Sequence, residues 1–199
     1  SYNNSKNGIA VQFSSRNNIS NITAYNNTFD GIALANTSYS NITNSITMKN
    51  RYGVLIYSNS DYNNISGITS YNNTNDGIRI SLFSDYNNVS NSSVFNNTQF
   101  GLVAAGNATG MNISDITARA NGNDGIRAGD NLTYSTFRNI TLISNAGHGI
   151  TLYNNASYNA LYNITTTSQT GTNMAGIDIR YNSSFNIIYD ITARGNSIG

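Results

Sequence analysis

Apolar and polar residues along this chain follow one long ruler. A glycine followed by a branched aliphatic residue recurs at Gly8-Ile9, Gly31-Ile32, Gly53-Val54, Gly77-Ile78, Gly101-Leu102, Gly125-Ile126, Gly149-Ile150 and Gly176-Ile177, and Gly199 closes the series. Successive spacings are 23, 22, 24, 24, 24, 24, 27 and 23 residues, so eight consecutive units leave almost nothing for a second domain. Residues one and three places after the glycine are apolar, as in Ile32/Leu34, Val54/Ile56 and Ile78/Ile80, a period of two that predicts a strand. A second apolar series falls about fifteen residues after the glycine, at Ile22, Ile46, Ile68, Ile116, Ile140, Ile164 and Ile191, with Ser92 the one exception. A Thr usually follows it, at Thr23, Thr47, Thr69, Thr117, Thr141, Thr165 and Thr192. A third series precedes it by three, at Ile19, Ile65, Val89, Ile113, Phe137, Leu161 and Ile188. Each unit thus reads as two or three short strands separated by Asn, Ser and Gly turns.

Short strands at this spacing, with no helical period between them, suit an all-β solenoid. The expectation is a single parallel β-helix domain over residues 1–199, with about eight coils of 22 to 27 residues each. Equivalent strands of successive coils pair in parallel about 4.8 Å apart, and inward Ile, Val and Leu form columns of like on like. The repeat glycine is expected in a turn conformation closed to residues bearing a Cβ. Asn recurs nineteen or twenty residues after the glycine at Asn27, Asn50, Asn73, Asn97, Asn121, Asn145 and Asn196, with Gln169 in the remaining coil. Stacked amides of this kind hydrogen-bond along the stack, so these residues are expected to form a structural Asn ladder. A second column, Asn18, Asn41, Asn64, Asn88 and Asn112, ends at Thr136. Tyr39, Tyr62, Tyr86, Tyr134, Tyr158 and Phe185 predict a row of stacked rings giving apolar cover at a corner.

Composition narrows the function classes. Charged residues are 10% of the chain, against roughly 25% in an ordinary soluble domain, while 38 of 199 residues are Asn. Ten Lys+Arg against nine Asp+Glu give a net charge of +1, which argues against the clustered cations of a nucleic-acid groove. No apolar run is long enough for a membrane-spanning helix, and the start at Ser1 shows no basic and apolar leader, the expectation for a mature or excised chain. With no Cys there is neither a disulfide framework nor a thiolate metal site. Nine carboxylates spread over eight coils do not converge on calcium, so no metal and no cofactor are expected.

The motif G-I-x-[IL]…N-x-I-x-x-I-T…N, present in nearly every coil, resembles right-handed parallel β-helix repeats. These occur in polysaccharide lyases, mannuronan epimerases, NosD-like proteins, and archaeal and bacterial cell-surface proteins. The resemblance implies a right-handed, single-stranded parallel β-helix and leaves function open, because the architecture hosts unrelated activities. Lyases and epimerases of this kind use a groove with carboxylates and a base. Here Asp30, Asp76 and Asp124 precede the repeat glycine in alternate coils, and His148 takes that place one coil after Asp124. Two places after the glycine stand Ala10, Ala33, Leu55, Arg79, Val103, Arg127, Thr151 and Asp178, which puts Arg79 and Arg127 two coils apart. Arg127, His148 and Asp178, with Asp124, Tyr153 and Arg180 around them, form the candidate catalytic patch. The same acids also fit plain Asx-Gly corners, and a lone His in a turn fits a solvated surface group.

Eighteen Asn-x-Ser/Thr sequons are present, and Asn26, Asn36, Asn72, Asn96, Asn107, Asn131, Asn155 and Asn182 are the candidate glycosylation sites, which requires export. Neither end carries a cap, so the chain is expected to be a segment of a longer one or a repeat unit that self-associates end to end. The regularity of the repeat favours a non-catalytic structural protein of the cell surface: a stalk, sheath, surface layer or filament. The alternatives are a carbohydrate-active β-helix acting through Arg79, Arg127, His148 and Asp178, or an adhesin that binds glycans at its Tyr-rich corner.

Overall fold

The computed structural model describes residues 1–197, and Gly199 of the glycine series lies outside the described residues. Nineteen strands coil into a parallel solenoid. The strand after each repeat glycine joins an eight-stranded sheet in coil order, with register Ile9↔Ile32↔Val54↔Ile78↔Leu102↔Ile126↔Ile150↔Ile177. Aliphatic residues stack on aliphatic residues because the register is whole coils. From Ile32 to Ile150 every member of this column is fully buried. Each such side chain contributes roughly 1.5–3 kcal/mol of transfer free energy.

The second sheet has eleven strands. Through the third coil it is built of pairs of three-residue strands, such as Asn18–Ser20 and Thr23–Tyr25, and from Asn88–Phe95 onward of eight-residue strands. A left-handed residue bends every coil of this sheet: Asn21, Asn44, Gly67, Asn91, Asp115, Asn139, Asn163 and Asp190, with φ between 49° and 67°. Asn, Asp and Gly tolerate that conformation best. The bend is also why apolar residues three apart, such as Ile113 and Ile116, both face inward, each at 1% exposure or less.

Three expectations need correction. Ile46 does not face inward: Thr23 pairs with Ile46 and Ala24 with Thr47, so Ile46 is 41% exposed while Thr47 is fully buried. The inward neighbour of Ile42 is three residues on, across the bend, and that residue is Ser45. Second, no repeat glycine among the described residues has a positive φ. Glycine is required there by close approach: a Cβ on Gly101 would stand 2.5 Å from the Gly125 carbonyl oxygen. Third, the aromatic corner does not cover the core. Tyr39, Tyr62 and Tyr86 stack at 5.1 and 5.0 Å, and Tyr134, Tyr158 and Phe185 at 5.2 and 5.0 Å, but all six are about half exposed or more.

Amides run through the corner that leads back to each glycine. Asn97 Nδ2 and its backbone N–H both donate to Asn121 Oδ1 at 3.1 Å, and Asn121 repeats this on Asn145 Oδ1 at 2.9 and 3.1 Å. Asn27, Asn50 and Asn73 make the same contacts below. Above, Gln169 Oε1 accepts the Asn145 N–H and Asn196 Oδ1 accepts that of Gln169. A second buried amide column stands at the opposite corner, where Asn63, Asn87, Asn159 and Asn186 accept backbone N–H groups at 2.8 to 2.9 Å. The column read from the sequence, Asn64, Asn88 and Asn112, is the outward neighbour of this one and bonds only side chain to side chain.

Candidate functional site

The outer surface of the eight-stranded sheet is where chemistry collects. Ten of the chain's twenty charged or histidine side chains stand on it or at its edge: Asp30, Arg51, Asp76, Arg79, Asp124, Arg127, Asp130, His148, Asp178 and Arg180. Stacking explains the concentration. The column just before the glycine runs Asp30, Tyr52, Asp76, Phe100, Asp124 and His148 on successive coils, its backbones joined by glycine N–H groups. The column two after the glycine runs Leu55, Arg79, Val103, Arg127, Thr151 and Asp178.

Each acid of the first column is nearly buried, and Asp76 has two duties. Asp124 Oδ1 accepts the His148 backbone N–H at 2.8 Å, and Asp76 Oδ1 that of Phe100 at 3.3 Å, so both fasten the next coil. Asp30 holds Arg51 through two parallel bonds of 3.0 Å, and Asp76 Oδ2 accepts from Arg79 at 2.8 Å. Burial pushes the Asp76 and Asp124 carboxyls above the ordinary value; the Arg79 bond opposes it at Asp76, and the His148 N–H at Asp124. The guanidiniums lie over rings. Arg51 sits 5.0 Å from the Tyr52 centroid and Arg79 5.6 Å from it, while Arg127 is held between Phe100 at 4.8 Å and Tyr153 at 4.0 Å. Tyr153 Oη donates to Asp130 Oδ2 at 2.6 Å, and burial pushes this phenol up.

Of the predicted patch, the fold brings His148 and Asp178 together and leaves Arg127 apart. His148 Nε2 lies 3.5 Å from Asp178 Oδ2, to which Arg180 Nε approaches at 2.8 Å. Arg127 and Asp178 are two coils apart with Thr151 between them. Thr151, 2% exposed, stands beside the Asp124 carboxyl on this face and lowers its pKa against the effect of burial. Arginine and ring side chains lie over the sheet here, and its outward Ala33, Leu55, Val103 and Thr151 are buried beneath them. Sequence reasoning missed the Arg51–Asp30 pair and the outer apolar cluster of Phe100, Val103 and Ala105. The strict alternation of acid and ring before the glycine was the available signal.

The eight candidate sequon residues, Asn26, Asn36, Asn72, Asn96, Asn107, Asn131, Asn155 and Asn182, are all exposed and all left-handed, with φ between 47° and 66°. The repeat itself writes the sequon. An outward Asn at a corner is followed by an inward residue and then an outward Ser or Thr, as in Asn131-Leu132-Thr133, where Leu132 is fully buried. Several of these amides already serve the stack: Asn131 donates to Asn107 at 2.7 Å and Asn155 to Asn131 at 3.0 Å.

Residues 1–135 match a protein family described as the right handed beta helix region. Among solved structures, the periplasmic alginate epimerase AlgG superposes with a TM-score of 0.81 at 15% identity, covering 94% of this chain and 47% of that one. The A-module of the Azotobacter vinelandii mannuronan C-5 epimerase AlgE4 gives 0.79 at 14% identity, covering 92% and 54%. Pectate lyase Pel9A gives 0.60 at 14% identity, covering 82% and 54%. The chain spans about half the length of these proteins, and at such identities the likeness is one of fold. No curated protein matches it in sequence. No helix among the described residues is long and apolar enough to cross a membrane.

Proposed function

This chain belongs to the right-handed β-helix family, and from that premise we propose that it is an exported structural rod whose eight-stranded face binds polysaccharide without transforming it. One observation carries the reading: half of the charged and histidine side chains of a charge-poor chain share one face, laid over aromatic rings. The groups that a proton-transfer mechanism would recruit are engaged elsewhere. His148 is 8% exposed, its Nδ1 accepts the Ala175 N–H at 3.0 Å, and its Nε2 faces Asp178. Tyr153, its hydroxyl donating to Asp130 and its ionisation made harder by burial, is a poor base at neutral pH.

Binding is tested by affinity electrophoresis through gels containing soluble polysaccharides. Retardation in at least one gel that disappears in the Arg79→Ala/Arg127→Ala double variant, with circular dichroism unchanged, supports the proposal; equal retardation of the two proteins overturns it. A carbohydrate-active role is the second reading, favoured by the Arg127, Tyr153 and Asp130 cluster and by the epimerase and lyase activities named for the similar structures. Uronate-polymer turnover that is lost in Arg127→Ala or His148→Ala would establish it.

The same proposal includes an extracellular or cell-surface location, glycosylation at exposed corner Asn residues, and end-to-end association. Intact mass reads the second, against the 21.5 kDa of the bare chain. The Tyr-rich corner fits a glycan-binding surface less well than the eight-stranded face. Its rings stack face to face, with interplanar angles of 2° to 12°, so the faces that sugars would pack on are taken by one another.

A further inference from the structure

The polar face is written with a period of two coils. Before the glycine, acids at Asp30, Asp76 and Asp124 alternate with rings at Tyr52, Phe100 and His148; two places after it, Leu55, Arg79, Val103 and Arg127 alternate apolar with cationic. Keeping like charges off neighbouring coils would be met by any neutral residue at the intervening positions. All three of those following an acid carry rings. Coils stack about 4.8 Å apart, so the motif repeats roughly every 10 Å along the rod axis.

Charge decides what such a face can accept. Four arginines, Arg51, Arg79, Arg127 and Arg180, meet five carboxylates, Asp30, Asp76, Asp124, Asp130 and Asp178. Arg51, Arg79 and Arg180 each already contact an aspartate at 2.8 to 3.0 Å. Arg127 is held by rings and makes no such contact among the described residues, but with five carboxylates to four arginines the face carries no net positive charge to favour a polyanion. What the face does offer is donors: a guanidinium pinned by an acid and flattened on a ring keeps N–H groups directed outward, and Arg51 and Arg79 remain 40% and 32% exposed.

Building on the glycan-binding reading, we propose that this face takes a neutral, extended 1,4-linked hexopyranose chain lying along the rod axis, with every second sugar meeting one arginine laid over a ring. One pyranose is about as long as one coil is high, and an extended chain of this linkage turns the same edge outward at every second residue. Arg51 on Asp30, Arg79 on Asp76, and Arg127 between Phe100 and Tyr153 then read the first, third and fifth sugars.

Calorimetric titration with cello-, β-1,4-manno- and chito-oligosaccharides of two to six residues tests this, beside oligomannuronates of the same lengths. For at least one neutral series, affinity is expected to rise about tenfold at length three and again at length five, as each new charge-assisted contact is made, with little gain at four or six. Arg79→Gln and Arg127→Gln should each remove one step while leaving circular dichroism unchanged. A smooth rise with length, or steps that survive both substitutions, overturns the two-coil register. Tighter binding of oligomannuronate, weakening with salt, overturns neutrality but leaves the glycan-binding reading standing. No binding to any probe overturns both.

Discussion

Replacing Asn121 by Ala removes one rung of the buried amide stack and leaves the backbone in place. Asn121 Oδ1 accepts two bonds of 3.1 Å, from the Asn97 backbone N–H and from Asn97 Nδ2, and Asn121 Nδ2 donates to Val94 O at 3.2 Å and Asn145 Oδ1 at 2.9 Å. Asn97 Nδ2 keeps its other bond, to Ser70 O, and Asn145 Oδ1 keeps the Asn121 N–H. Two donor positions on Asn97, a residue 1% exposed, are left without partners. At about 1–3 kcal/mol for each orphaned buried group, the variant should lose about 2–6 kcal/mol. Asn41→Ala, on the outward Asn column and without a left-handed backbone, is the control and should stay within about 0.5 kcal/mol of the parent. Urea unfolding followed by circular dichroism gives the difference, and hydrogen exchange at the Asn97 amide reports the local opening that a one-dimensional stack permits. If Asn121→Ala and Asn41→Ala unfold at the same urea concentration and the Asn97 amide stays protected, the amide stack is not what holds the coils in register.

Ile46→Lys should be tolerated within about 0.5 kcal/mol, because the side chain is 41% exposed; a loss above about 3 kcal/mol in urea would restore the inward position that its spacing suggests. Gly101→Ala should destabilise strongly and slow folding, since its Cβ would meet the Gly125 carbonyl at 2.5 Å and Asn121 Nδ2 at 2.9 Å; an unchanged melting temperature would contradict the close approach. Burial raises the Asp124 carboxyl, so its contribution to stability is full below the unfolded value and is lost as pH rises through the folded one. Asp124→Asn, which keeps an acceptor for the His148 N–H, should therefore gain stability relative to the parent between pH 4 and pH 7; a gap that is flat or closes over that range would refute the assignment.

The coil repeat was legible because one glycine column and two apolar columns recur at near-constant spacing, and parallel stacking turns constant spacing into contact. Where the spacing slips, the reading slips. The 22-residue coil after Gly31 holds Ile42, Ser45 and Ile46, and only the left-handed bend at Asn44 tells which of the last two faces inward. The glycine's role was misread for a similar reason: close approach of one coil to the next is a property of the stack and leaves no local mark. The buried Asn63 and Asn87 column was hidden by adjacency, since Asn63-Asn64 and Asn87-Asn88 present two amides and the sequence does not say which is inside. The functional face was half visible. Arg79, Arg127 and the Asp30, Asp76 and Asp124 series could be counted, whereas the pairing of Arg51 with Asp30 and the seating of Arg127 between Phe100 and Tyr153 depend on side chains from different coils.

We propose that the polar side of the eight-stranded sheet binds polysaccharide. Arginine side-chain NMR of the intact chain tests it most directly, by following the Nε–Hε resonances while cellohexaose, β-1,4-mannohexaose, chitohexaose or hexamannuronate is added. Shifts of Arg51, Arg79 and Arg127 with one of these sugars, while Arg16 and Arg194 stay in place, are the predicted result. Resonances that stay unmoved by all four, or shifts confined to arginines off this face, would contradict the account.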